Sequence, residues 1–229
     1  DGYLEGNYSE WYEAPSVKDK VAALAKTPDL PWGPGEVARY RDQDMFLLGV
    51  AMSEYLKRKT GNGDLWQMLT DEVYRPIGIH HAAINRTIED NGGKGQPIMA
   101  YGYYPSLGDM AKIATLYQNK GRHGDRQILY RPAIETMLNA SEEHGLPIGQ
   151  RNAYGEGRYY SSLWYARYDA SNSCKLNLPA MQGWGGNLVV LMPNGMTGIR
   201  LSKNWDGNEN VDDYIGMANV ADRLDPLCK

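Results

Sequence analysis

Apolar residues recur at helical spacing through the first two thirds of the chain, then give way to short strand-like runs. Val17 to Lys26 reads as a short helix that stops before Thr27-Pro28-Asp29. Asp42 is a good N-cap for a longer helix running to about Lys59, with Asp44 complementing its first turn. Leu48, Met52, Tyr55 and Leu56 share one face of that helix, which is expected to be buried, and Gly61-Asn62-Gly63 ends it. Asp64 starts another helix through Leu65, Met68, Leu69 and Val73, stopped by Pro76. Ser106-Leu107-Gly108-Asp109 has the pattern of a capping box, opening a helix with Met110, Ile113, Ala114 and Tyr117 inward and Gly121 at its close. Tyr130-Arg131-Pro132 begins one more helix, to about Leu138.

Beyond residue 155 the period shortens. Tyr159 to Tyr165 reads as a strand, and Leu188-Val189-Val190-Leu191-Met192 as a buried one. Pro193-Asn194-Gly195 is a turn, and Met196 to Ser202 returns as the partner strand. An amphipathic helix through Val211, Tyr214, Ile215, Ala218, Ala221 and Leu224 finishes the chain. Helices segregated from an antiparallel sheet define an α+β fold. The expected division is a mainly helical region over 1–155, and strands plus a C-terminal helix over 156–229.

Composition narrows the function classes. The 229 residues carry a formal charge of −4 and no run of Lys or Arg, so nucleic acid is not an expected partner. No apolar stretch reaches membrane-spanning length. The polar opening Asp1-Gly2-Tyr3-Leu4-Glu5-Gly6, without an initiator Met, leads us to expect a processed, truncated or nicked product. Cys174 and Cys228 are too few and too far apart for a metal knuckle. They form either one disulfide, which fits a periplasmic or secreted protein, or two free thiols. The four histidines lack metal-site spacing, and no cofactor is expected. With 17 Tyr and 6 Trp against one Phe, the aromatic residues favour half-wet surroundings.

Several short motifs occur in a telling order. Pro34-Gly35 precedes Tyr40-Arg41-Asp42, which runs into Phe46-Leu47-Leu48-Gly49. Pro76-Ile77-Gly78-Ile79, Ser106 to Ile113, Gly124 to Leu129 and Gly183-Trp184-Gly185-Gly186-Asn187 follow. Over residues 31–205 this order resembles the serine β-lactamase-like hydrolases: class C β-lactamases, family VIII carboxylesterases and 6-aminohexanoate-dimer hydrolases. The resemblance implies a β-lactamase/transpeptidase-like fold and cleavage of a small-molecule ester or amide through an acyl-enzyme. Tyr40 takes the place of the motif tyrosine, the base in acylation and the acid for the leaving group. Asp42 replaces the family's Asn; an ionised carboxylate cannot donate to a substrate carbonyl, so it reads as a helix cap, a filter for a substrate amine or a holder of the catalytic lysine. Gln182, Gly183, Trp184, Gly185 and Gly186 stand where the third motif lines the acyl site on a sheet edge, without its usual Lys or His. Lys59-Thr60-Gly61 spells that third motif but sits at a helix end, where it is ordinary termination.

The family's nucleophile is a serine three residues before a lysine. None of the serines at 9, 16, 53, 106, 141, 161, 162, 171, 173 and 202 has that lysine. The expected explanation is a companion N-terminal chain of the same protein that carries Ser and Lys and completes the sheet. The alternative is a degenerate, non-catalytic binding protein on the same scaffold.

Overall fold

A computed structural model describes residues 8–26, 31–139, 146–147, 159–160, 163–169, 174–203 and 211–228. Compactness divides the chain into two units, residues 1–33 with 39–105, and residues 34–38 with 106–229.

The first unit is helical. It holds α1 (Tyr8–Glu13), α2 (Val17–Leu24), α3 (Asp42–Thr60) and α4 (Leu65–Leu69). A π-helical turn (Thr70–Tyr74) and a 3₁₀ turn (Arg75–Ile77) extend α4, and Pro76 lies in the turn that stops it. Side-chain caps start two of these helices as their sequences demand. Ser16 accepts from the Asp19 N–H before α2, and Asp64 from the Gln67 N–H before α4. Trp11, Ala23, Phe46 and Ile98 form the core. Lys20 is buried among them, its ammonium donating to the carbonyls of Trp11 at 2.8 Å and Tyr12 at 3.1 Å. Those carbonyls end α1, so the lysine closes that helix where the macrodipole favours a cation. It also sits 4.7 Å from the centre of the Trp11 ring.

Helix α3 corrects the expected orientation. Its buried positions are Asp42, Gln43, Phe46, Gly49 and Ser53, whereas Leu47, Leu48, Met52 and Tyr55 are exposed. Besides Phe46, the inward side is set by close packing of small residues. A Cβ on Gly49 would stand 2.7 Å from Met99 Cγ, and Gln96 Nε2 donates to Ser53 Oγ at 2.9 Å. Gly61 ends α3 at φ +80°, in keeping with Lys59-Thr60-Gly61 as a helix terminus.

The second unit contains α5 (Leu107–Gln118), a small ribbon of β1 (Arg122–His123) and β2 (Arg126–Gln127), and α6 (Arg131–Leu138). A five-stranded antiparallel meander follows: β3 (Tyr159–Tyr160), β4 (Leu163–Asp169), β5 (Lys175–Gly183), β6 (Asn187–Leu191) and β7 (Thr197–Arg200). Helix α7 (Val211–Leu224) completes it. Both bonds of the capping box are present at α5, with Asp109 N–H on Ser106 Oγ and Ser106 N–H on Asp109 Oδ2, each at 3.1 Å.

Strand alternation assigns the two faces of the sheet. Leu188, Val190 and Met192 pack with Leu178, Ala180 and the α7 residues Tyr214, Ala218 and Ala221. Val189 and Leu191 pack with Ala114, Met110 and Tyr117 of α5. Helices on both faces explain why β6 is a continuous apolar run. Cys174 and Cys228 form a disulfide, tying the start of β5 to the C-terminal end across 54 positions.

Two strand expectations change. The run read as one strand over Tyr159 to Tyr165 contributes to two antiparallel strands, with Tyr160 of β3 paired to Leu163 of β4. Strand β5 has no counterpart among the expected strands because Pro179, paired with Tyr165, interrupts its alternation.

Candidate active site

Tyr40 lies half-buried on the non-helical stretch just before α3. Arg41, not Asp42, is the N-cap of that helix, and it makes no side-chain cap bond. Asp42 is the first helical residue and is 7% exposed. Its carboxylate accepts from the Tyr8 hydroxyl of α1 at 3.0 Å. The cap expected of Asp42 is thus replaced by a tertiary contact, made where the helix dipole favours a negative charge. Burial, partly offset by this hydrogen bond, raises the Asp42 pKa above the ordinary carboxylate range. Burial, then the Asp42 charge, pushes the Tyr8 phenol far up, and burial foremost lifts Tyr101 to about 12. Tyr8 therefore stays a hydrogen-bond donor at neutral pH.

Flanking groups add charge and unmet bonding capacity. Arg41 pairs with Asp44 at 3.3 Å, and the Arg39 guanidinium lies 5.9 Å from the Trp32 ring centre. Among the described residues, buried Arg41 Nε and Gln43 Oε1 find no hydrogen-bond partner. Buried polar atoms are nearly always paired in folded proteins, so these two atoms beside Tyr40 are exceptions to the usual pairing.

The glycine motif is gathered into one hairpin. Gln182 and Gly183 end β5, Gly183 pairs with Asn187 of β6, and Trp184, Gly185 and Gly186 form the turn. Strand β5 has β4 and β6 on its two sides, but its pairing with β4 reaches only Ala180, so Gln182 and Gly183 pair with β6 alone. Gly185 and Gly186 have φ of +81° and +82°, a pair of left-handed conformations that only glycine adopts at little cost. A Cβ on Gly186 would also stand 3.0 Å from Arg200 Nη2.

The tip is braced from within. Asn187 Nδ2 donates to the Trp184 carbonyl at 2.7 Å, and its Oδ1 accepts from the Ser202 N–H at 2.9 Å. Arg200 Nε donates to the Gly186 carbonyl at 2.9 Å and its guanidinium pairs with Asp213. These braces hold the Trp184 side chain 67% exposed. Gln182 Oε1 is buried without a hydrogen-bond partner among the described residues. Tyr8 and Arg200 were not singled out from the sequence. Asn187 closes the glycine motif read from the sequence, whereas nothing local ties Tyr8 to Asp42.

Among the described residues no cluster of three or more His, Cys, Asp or Glu side chains forms that could hold a metal ion. A polar cavity of about 490 Å³ lies elsewhere in the first unit, around Asn62, Gln67 and Gln96. There Arg86 and Lys94 both bind Asp64, at 2.9 and 2.5 Å.

The elements and their order define a β-lactamase/transpeptidase-like α+β fold. One solved structure that shares it is a Bacillus anthracis protein provisionally named a 6-aminohexanoate-dimer hydrolase. It matches with a TM-score of 0.69 at 17% identity, over 99% of this chain and 56% of that one. A second, from Bacteroides dorei DSM 17855 and provisionally named a β-lactamase, matches at 0.51 and 18% identity, over 90% of this chain and 63% of that one. This chain thus spans less than two thirds of either neighbour. No protein-family model matches the sequence, and no curated protein matches it.

Proposed function

We propose that this chain forms part of a serine hydrolase that cleaves an ester or amide bond of a small molecule through an acyl-enzyme. The serine and its lysine lie on a companion N-terminal segment of the same protein, so this chain alone is inactive. The observation that carries the reading is Tyr40, a half-buried phenol just before α3, beside buried polar atoms of Arg41 and Gln43 that lack a hydrogen-bond partner among the described residues.

Tyr40 accepts the serine proton as the oxygen attacks the carbonyl carbon, then returns it to the departing alcohol or amine. Lysine nearby favours the phenolate this requires. Water then attacks the acyl-enzyme and releases the acid. The glycine hairpin lets backbone approach the developing oxyanion closely, and Gln182 and Trp184 line the acyl group. Asp42, engaged with Tyr8, braces the segment that carries Tyr40 rather than meeting the substrate carbonyl. This chemistry calls for no metal or organic cofactor. The Cys174–Cys228 bridge supports a periplasmic or secreted setting.

A second reading, a binding protein without catalysis, draws on the absence of a Ser-x-x-Lys from this chain and of Lys or His from the third motif. Incubation of the native preparation with a fluorophosphonate, followed by mass spectrometry, separates the two. An adduct on a serine of a companion segment supports the hydrolase. No adduct on any polypeptide present overturns it in favour of the binding protein.

A further inference from the structure

The polar cavity of the first unit is walled by residues that acyl transfer does not use. Asn62 and Gly63 follow the end of α3, Asp64 and Gln67 open α4, and a β-bridge between Arg86 and Pro97 holds the segment from Lys94 to Pro97 alongside. Two glycines let backbones close on one another here. A Cβ on Gly95 would stand 1.7 Å from the Thr87 carbonyl oxygen, and one on Gly63 3.0 Å from that of Ser53. The enclosed volume, about 490 Å³, is that of a small-molecule site. No aromatic ring is among the described lining residues, and Pro97 supplies their one apolar side chain.

Charge on these walls does not balance. Burial would raise the Asp64 pKa, but hydrogen bonds from Lys94 and Arg86 hold it below the ordinary carboxylate range, so Asp64 is ionised at neutral pH. Arg86 Nη2 donates to both Asp64 oxygens, at 2.9 and 3.1 Å, and Arg86 Nη1 to the Gly95 carbonyl at 2.8 Å. The guanidinium thereby neutralises the carboxylate and is fixed in the wall. Lys94 is the surplus cation: its side chain is 62% exposed, and Asp64 engages one of the three N–H donors of its ammonium.

The amides divide into donors and acceptors. Asn62 spends its side-chain oxygen on the Asp64 N–H at 3.0 Å, so its NH2 is what it offers. Gln67 and Gln96 spend their nitrogens on Asp71 at 2.8 Å and on Ser53 at 2.9 Å, so they offer oxygens. An ammonium and an amide NH2 suit an anionic head group; two amide oxygens suit hydroxyl hydrogens.

We infer that this cavity binds a small hydroxyl-bearing anion, its carboxylate or phosphate held by Lys94 and Asn62 and its hydroxyls donating to Gln67 and Gln96. A metal ion does not fit, because Asp64 is the one lining carboxylate and two cations already engage it. An apolar ligand would find no ring or aliphatic wall to pack on. The site is independent of the acyl-enzyme chemistry and holds whether or not the protein hydrolyses an ester or amide.

The test is an NMR titration of the isotope-labelled native protein, with any companion segment it contains, against glycerol 3-phosphate, gluconate, inorganic phosphate, acetate and glycerol. Glycerol 3-phosphate or gluconate is expected to move the Gly63 and Gly95 amide signals and to bind at least ~10-fold more tightly than glycerol. The tighter of the two identifies the head group. Shifts confined to other residues, or no shift at ~10 mM of either, overturn the inference. Glycerol binding as tightly overturns it by removing the anionic head. Phosphate or acetate binding as tightly as the hydroxylated anion with the same head group overturns it by removing the hydroxyl contacts. Lys94→Gln is expected to weaken binding at least ~10-fold with the thermal midpoint unchanged, and Lys94→Arg to restore it. Unchanged binding in Lys94→Gln places the anion elsewhere and also overturns the inference.

Discussion

The Tyr8 hydroxyl donates to the Asp42 carboxylate at 3.0 Å, joining residues 34 positions apart and fixing the start of α3 to α1. Tyr8→Phe leaves a buried carboxylate short of its donor and is expected to cost ~1–3 kcal/mol in urea unfolding. The pH dependence has a definite sign. Burial raises the Asp42 pKa in the folded state, so its stabilising contribution is complete below the ordinary carboxylate value of about 4 and is lost as pH rises through the folded value. Asp42→Asn should flatten the stability profile across that window; an unchanged slope would assign the effect to other groups.

Lys20 titrates in the opposite sense. Burial lowers its pKa, so stability is expected to rise with pH between the lowered value and about 10.4. Lys20→Met strands the Trp11 and Tyr12 carbonyls and is expected to lose ~1–3 kcal/mol at neutral pH, less than two unmet bonds imply because a buried charge is removed as well. Denaturation of wild type and variant at pH 7 and pH 10 measures both effects.

Tyr40→Phe separates chemistry from folding. With the companion segment present, turnover of an activated ester is expected to fall ~10²–10⁴-fold, with the thermal midpoint unchanged. A near-normal rate would remove Tyr40 from proton transfer.

The glycine hairpin predicts a contrast between adjacent positions. Gly186→Ala puts a Cβ into a left-handed backbone and against Arg200, and is expected to destabilise by ~1–3 kcal/mol. Trp184→Ala removes an exposed ring and should alter stability by no more than ~0.5 kcal/mol, while raising KM for bulky acyl groups. Calorimetry and steady-state kinetics on the pair test this.

Reduction of Cys174–Cys228 frees a loop closed over 54 positions and is expected to lower stability by ~4 kcal/mol on the chain-entropy account. Unfolding with and without a reductant measures it.

Local chemistry was legible in the sequence wherever the cause was local. The caps at Asp64 and Ser106, the stop at Gly61 and the turn at Pro193-Asn194-Gly195 all depend on residues within one turn. The side of α3 that faces the core was not legible. Periodicity weighs Leu48, Met52 and Tyr55 by bulk, whereas this helix is seated by Gly49 against Met99 and Ser53 against Gln96. Pro179 hid β5 because a proline argues against an interior strand. At the site, the glycine motif was readable because its backbone demands glycine. The environment of Asp42 was not, since it depends on a tyrosine from another helix.

The brace around residues 184–187 also has an engineering consequence. Asn187, Arg200 and the two left-handed glycines fix the hairpin backbone without using the side chain at 184. That position is therefore a natural place for saturation mutagenesis. A library there should vary ligand preference from one folded scaffold, whereas a library at 185 or 186 should mostly yield poorly expressed protein.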